Sequence, residues 1–500
     1  MRVSAVVLCS VLGMGTSSAA VSWLTPSSQA ASPSAAPQEA PRAAAKPKRF
    51  ETEPSTTIVV ARPEPTSSFV DEGRLRLEGR LGHTVLPGER DNETFLLVEL
   101  GAQDIDVDTR APVNLAIAID RSGSMKGQRL RNAVAAARGM LSRLRAEDTI
   151  SVVTYHERAQ VLVPPTRVGS VDRFDFDRAL ADIQGDGNTC ISCGIDMARA
   201  QLARRRDGIN HILLLSDGVA NRGLRTAADF RALGDEVRRE ETSVASVGVD
   251  VDYDERMLLA VSQASNGNHY FVENPSGLAE VFDREAESLT GTVADRVDVD
   301  VQLAEGVEVV EVIARGARQF GDRVELSFGS FDPGDEKSAL LRLRVEPGRG
   351  LQDIADVRLS YRDLAEDRLA SAQGSVSVEL DPDVRTLAAL DPRVEERLGR
   401  KETFDALLLA NEAFARGDVA DAQRELDEAR TRIRRRRDRS GASKDSKLDK
   451  NFEAQLGALG GASSNFSTAA AEAPAPAAAP TSRAGKKAVR ANAQFADPFG

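Results

Sequence analysis

Between Pro112 and Leu289 the chain alternates short apolar runs with amphipathic stretches, and few folds accommodate that alternation. Asn114-Leu-Ala-Ile-Ala-Ile119 is continuously apolar, as a strand covered on both faces of a parallel sheet must be. Leu130, Ala133, Val134, Ala137, Met140, Leu141 and Leu144 then recur at helical spacing. Further strands are expected at Thr149–Tyr155, His211–Ser216 and Ser243–Val249, and helices at 191–205, 227–237, 255–264 and 276–289. Strands and helices in strict turn, joined by short connections, predict a doubly wound α/β domain.

The flanks follow a different period. Val297, Val299, Val301 and Leu303 alternate with polar residues, as do Val324, Leu326 and Phe328, then Leu341, Leu343 and Val345. Val357, Leu359, Tyr361 and Val376, Val378, Leu380 repeat the pattern, which predicts an antiparallel sandwich with one wet face. Leu75–Leu81 and Phe95–Leu100 are strand candidates on the N-terminal side, so one sandwich built from both flanks is expected, with the α/β domain inserted in it. Phe404–Arg437 reads as a helical hairpin broken at Gly417-Asp418 and resembles a single tetratricopeptide-like unit, better suited to docking than to an array. Arg2, the apolar run Val3–Met14 and the small residues Thr16–Ala20 read as a cleaved export signal, with no other segment fit to span a bilayer. The expected divisions are a signal at 1–20, an Ala/Pro/Ser-rich disordered linker at 21–68, N-terminal strands at 69–110, the α/β domain at 111–290, the sandwich at 291–382, the helical hairpin at 383–440 and a disordered tail at 441–500.

Charge and residue supply exclude several functions. A net charge of −12 argues against nucleic-acid binding, which needs a basic footprint. Three cysteines exclude a disulfide-built scaffold, and four histidines leave little for zinc or histidine chemistry. No Walker loop, nucleophile elbow or dinucleotide fingerprint is present, so no enzyme is expected.

The chemistry concentrates where the first apolar strand ends, at Asp120-Arg-Ser122-Gly-Ser124-Met125, with Thr189 and Ser216-Asp217-Gly218 further on. Two carboxylates and three hydroxyls suit a hard divalent cation, which takes oxygen ligands and, for Mg²⁺, retains several waters. Asp120 and Asp217 both follow apolar strands directly and so belong at the carboxyl edge of the sheet, where ligands of open α/β folds bind. Asp120-x-Ser122-x-Ser124, Thr189 and Asp217 resemble the metal-ion-dependent adhesion site of von Willebrand factor type A domains. The resemblance runs from about 111 to 289, and the flanking β-segments are similar to those of extracytoplasmic bacterial members and inter-alpha-trypsin-inhibitor heavy chains. It implies a Rossmann-like fold and Mg²⁺ as cofactor, with Mn²⁺ or Ca²⁺ as alternatives. It also implies direct ligation by Ser122 and Ser124, and at times Thr189, with Asp120 and Asp217 acting through water. The implied function is an exported (periplasmic, cell-envelope or secreted) protein-binding module, capturing an acidic side chain of another protein through the ion or docking in an envelope assembly.

Cys190-Ile-Ser-Cys193 directly follows the threonine and begins a helix. A local disulfide stiffening that loop is expected, because a thioredoxin-like motif needs a different topology. A structural envelope or matrix scaffold is the alternative function, and a thiol-disulfide oxidoreductase acting through Cys190 and Cys193 a further one. Asp250-x-Asp252-x-Asp254 lacks the glycine and the closing glutamate of a calcium loop and reads as a polar turn.

Overall fold

The computed structural model describes residues 65–104, 111–203, 208–217, 220–249, 255–272, 274, 276–314, 316–473 and 478–496, with backbone alone at a few of these. The expected export signal, most of the expected Ala/Pro/Ser linker and the expected turn at 250–254 lie outside the described residues. Along the chain, β1 (Ser68–Asp71), β2 (Leu75–Leu81), β3 (Val85–Pro87) and β4 (Asn92–Ala102) come first. The α/β segment follows as β5 (Val113–Asp120), α1 (Gln128–Leu141), β6 (Thr149–Tyr155), β7 (Ala159–Arg167), α2 (Arg173–Ala181), α3 (Ile191–Leu202), β8 (Ile209–Ser216), α4 (Ala227–Arg239), β9 (Thr242–Val249), α5 (Glu255–Ala264), β10 (His269–Val272) and α6 (Leu278–Gly291). Then come β11 (Ala294–Leu303), β12 (Val307–Ile313), β13 (Arg318–Phe320), β14 (Arg323–Phe331), β15 (Glu336–Val345), β16 (Gly350–Asp363) and β17 (Arg368–Asp381). The helices α7 (Pro392–Ala415), α8 (Val419–Ser440), α9 (Lys447–Glu472) and α10 (Arg483–Ala496) close the order.

The α/β sheet runs β10-β9-β8-β5-β6-β7 and is parallel except for β7, which turns back antiparallel on β6. All eight residues of β5 and of β8 are buried, which explains the apolar runs Leu115–Ile119 and Ile212–Leu215 within them. One face packs on α1, α2 and α6, the other on α3, α4 and α5. The chain builds outward from β5 through β6 and β7, then returns to β8 and builds the other way. The strand order therefore reverses between β5 and β8, and a crevice opens there at their carboxyl ends.

The remaining strands form two facing sheets, β1-β2-β4-β15-β12 and β13-β14-β11-β16-β17-β3. Each contains strands from both sides of the α/β segment, so the sandwich core joins Leu75, Leu96 and Val98 to Val299, Leu341 and Val378. Phe69 of β1 lies in a slot that exists only because two facing positions carry no side chain. A Cβ at Gly79 or at Gly374 would stand 2.1 Å from its ring. Gly79→Ala or Gly374→Ala should therefore expel the ring and destabilise the sandwich by roughly 1–3 kcal/mol, read as a lower urea midpoint.

The C-terminal region departs from expectation. Residues beyond 441, expected to be a disordered tail, carry α9 and α10, and the hairpin α7–α8 is half of a four-helix unit. Ala-, Gly- and Ser-rich composition reads as linker. Yet Phe452, Gln455, Leu459, Ala462, Phe466 and Ala469 are buried at alternating three- and four-residue spacing, and Phe466 stacks on Phe414 with ring centroids 4.3 Å apart. The small residues allow close helix approach, and the phenylalanines supply the apolar surface. In the arginine run 434–437 of α8, Arg436 pairs with Glu402 at 2.8 Å and Arg437 with Asp449 at 2.6 Å.

His269 on β10 also senses this unit. Burial pushes its imidazole down to about 4, and Arg490 of α10 adds to the effect. The folded chain then resists a proton that the unfolded chain accepts near pH 6.5. Stability should fall by on the order of 2 kcal/mol as pH drops from 6.5 towards 4, and His269→Asn should flatten that part of the urea-midpoint profile.

Candidate functional site

At the β5–β8 crevice, the chain leaves β5 in a tight turn. Asp120 ends the strand fully buried; its Oδ1 accepts the Ser122 backbone N–H at 2.8 Å and its Oδ2 accepts the Ser216 hydroxyl at 2.9 Å. The Ser122 and Ser124 hydroxyl oxygens are 3.0 Å apart, and the Ser124 hydroxyl donates to Asp217 Oδ1 at 2.7 Å. Asp120, Ser122, Ser124 and Asp217 thus lie along one connected polar cluster drawn from two neighbouring strand ends. Ser122 and Asp217 are buried, whereas Ser124 is exposed, so the cluster opens to solvent on the Ser124 side.

The loop before α3 is fastened to the same turn. The Asp186 N–H donates to the Arg121 carbonyl at 2.7 Å, and the Gly123 N–H donates to the Gly187 carbonyl at 3.1 Å. Gly187 has a φ of 79°, and a Cβ there would stand 3.1 Å from His156 Nδ1, so glycine suits both backbone and space. Thr189, two residues on, is buried; its N–H donates to Asn221 Oδ1 at 2.9 Å, and its carbonyl accepts the Asn221 and Arg222 N–H groups at 3.1 Å. These bonds tie the threonine loop to the segment after β8. Cys190 and Cys193 are joined by a disulfide within the first turn of α3, Cα atoms 5.3 Å apart.

The electrostatics are dominated by burial of the two carboxylates. Burial pushes the Asp120 carboxyl up to about 7, although bonds from Ser122 and Ser216 oppose the shift and Asp217 reinforces it. Burial also raises Asp217, against the pull of Ser124 and Arg129. Among the described residues, no three His, Cys, Asp or Glu side chains gather to hold a metal ion. Any cation here would depend on hydroxyls as much as on carboxylates.

Three residues of this neighbourhood were not singled out by the sequence. Ser216 caps Asp120, Tyr155 bonds the Leu215 carbonyl at 2.7 Å beneath the crevice, and Arg129 Nη1 donates to Asp217 Oδ2 at 2.8 Å. Ser216 stood next to Asp217 in the chain and could have been found. Arg129 could not, because only the path of α1 brings it back.

Residues 114–284 match the von Willebrand factor type A domain model. The "uncharacterized protein sll0103" of Synechocystis sp. is 23% identical over 345 residues, spanning 66% of this chain and 81% of that one. Human inter-alpha-trypsin inhibitor heavy chain H2 is 29% identical over 171 residues, or 32% of this chain and 17% of its own length. Among solved structures, a von Willebrand factor type A protein of Catenulispora acidiphila superposes with a TM-score of 0.61 at 18% identity, covering 80% of this chain and 90% of that one. Sheet order, helix layers and the matched segment agree: residues 114–284 are a von Willebrand factor type A domain, carried between the two strand-forming flanks of a β-sandwich.

Proposed function

We propose that this chain is an exported, metal-ion-dependent protein-binding module that captures a partner carboxylate through a divalent cation, Mg²⁺ before Mn²⁺ or Ca²⁺. The observation that carries this reading is the polar cluster Asp120–Ser122–Ser124–Asp217 at the strand-order reversal. Its donor set fits a hard cation. Adjacent oxygens around an octahedral ion at about 2.1 Å lie about 3.0 Å apart, and the Ser122 and Ser124 hydroxyl oxygens are 3.0 Å apart. Ser122 and Ser124 would hold the ion directly. Asp120 and Asp217 would balance its charge through water, with Thr189 closing the loop side. When bound, the cation supplies an open coordination position for an anionic oxygen.

This chain's residues do the rest. Buried Asp120 anchors the turn that presents both serines, and the disulfide holds the loop that carries Thr189. Ser124, exposed, marks where a partner approaches. No step in this scheme breaks a covalent bond, so the chain acts as a binder, with the sandwich and helical unit presenting the site or docking it in an envelope assembly. Among the described residues no helix is long and apolar enough to cross a membrane. The direct test is affinity capture from envelope extract with Mg²⁺ and with chelator. Partners held by wild type should be lost in chelator and on Ser124→Ala; equal capture in all three arms would refute the proposal.

A further inference from the structure

Arg129, the second residue of α1, is bound into the site by one nitrogen that serves two acceptors. Nη1 donates to Asp217 Oδ2 at 2.8 Å and to the Ser124 carbonyl at 3.0 Å. The Asp217 side chain is 0% exposed and that of Arg129 26%, so this is no loose surface pair. With Ser124 on Oδ1, both Asp217 oxygens are engaged, one by a candidate ligand and one by a fixed cation.

The charge balance gives this arrangement a consequence. Asp120 and Asp217, both ionised, would neutralise a divalent ion. The Arg129 guanidinium adds a further positive charge 2.8 Å from one of those carboxylates. A fixed cation beside the ion opposes its binding, most strongly where burial limits screening. The same charge favours an anionic group at the open coordination position. Arginine suits the role because its charge does not titrate away. A purely structural role, in which Arg129 only orients Asp217, has the opposite sign: removing it would loosen the carboxylate and weaken the ion.

We infer that Arg129 is a resident counter-cation of the site, which weakens the ion's hold on the protein alone and couples ion binding to an acidic partner, so that each tightens the other. This inference rests on the metal-binding reading above. Coupling of this kind is reciprocal, so it can be measured from either side.

The test is calorimetric titration of the full chain with Mn²⁺, alone and with poly-L-glutamate, for wild type, Arg129→Gln, Arg129→Lys and Asp120→Asn. Arg129→Gln should bind Mn²⁺ about tenfold more tightly than wild type without polyanion. Poly-L-glutamate should tighten Mn²⁺ binding to wild type about tenfold and to Arg129→Gln less than about twofold, with Arg129→Lys close to wild type. Unchanged or weaker Mn²⁺ binding by Arg129→Gln overturns the inference. So does a wild type indifferent to poly-L-glutamate, a result that does not depend on any variant folding. Retained Mn²⁺ binding by Asp120→Asn would instead defeat the metal reading itself, which keeps the two failures distinct.

Discussion

Asp120→Asn is expected to lower divalent-ion affinity by about 10–100-fold and, with chelator present, to make the protein more stable at pH 8. The two effects share one cause. Asp120 is completely buried, and burial drives its carboxyl up to about 7 from an ordinary value of 3.8. As pH rises past 3.8 the unfolded chain releases this proton while the folded chain keeps it until about 7, so ion-free stability falls across that window. Above pH 7 the penalty is complete, on the order of 3 kcal/mol. Asparagine removes the charge yet keeps an oxygen for the Ser122 N–H and an amide for Ser216. A divalent ion should repay the penalty in wild type only. Thermal unfolding at pH 8 with chelator and with Mg²⁺ checks both halves: the variant should melt higher than wild type in chelator and gain nothing from Mg²⁺.

Glu285→Ala should destabilise the protein by about 3–5 kcal/mol, which is large for a residue outside the candidate site. Glu285 lies on α6, buried, beside His211 of β8, Tyr270 of β10 and Asn268 just before β10. Tyr270 donates to its Oε2 at 2.6 Å, Asn268 Nδ2 lies 3.5 Å away, and His211 Nε2 stands 3.0 Å from Oε1. Burial alone would raise this carboxyl, but His211, Tyr270 and Asn268 more than offset that and hold it below the ordinary range. Alanine would leave buried His211 and half-buried Tyr270 without their carboxylate partner. Because α6 runs directly through Thr292 into β11, and Ser288 and Thr292 both bond Asp332 of the sandwich, loosening it disturbs two layers at once. A lower urea midpoint and faster amide exchange across Leu278–Gly291 are the expected readouts. Glu285→Gln, which keeps an acceptor for Tyr270, should lose less.

The amino-acid order alone determined the α/β segment, because a strand buried on both faces carries an apolar run rather than an alternating one. Leu115–Ile119 and Ile212–Leu215 show it, and the carboxylates that follow those runs lie at the crevice. It also determined the sandwich strands β2, β4, β11 and β14–β17, most of which record one covered and one wet face by a period of two, whereas β1, β3, β12 and β13 were not legible. β7 and α2 were not legible: β7 is a largely exposed edge strand containing Pro164 and Pro165, and α2 buries only Phe176 and Leu180. The helices beyond 441 were hidden by composition, since alanine and glycine gain an apolar role only when another helix comes close enough to cover them. The tertiary structure alone decided how the strands of the two flanks divide between the sandwich sheets, that the threonine loop is fastened to the Asp120 turn, and that Arg129 faces Asp217. Local sequence encodes which face of an element is covered. Which charges meet across 88 residues depends on how the covered faces stack, and no period along the chain records that.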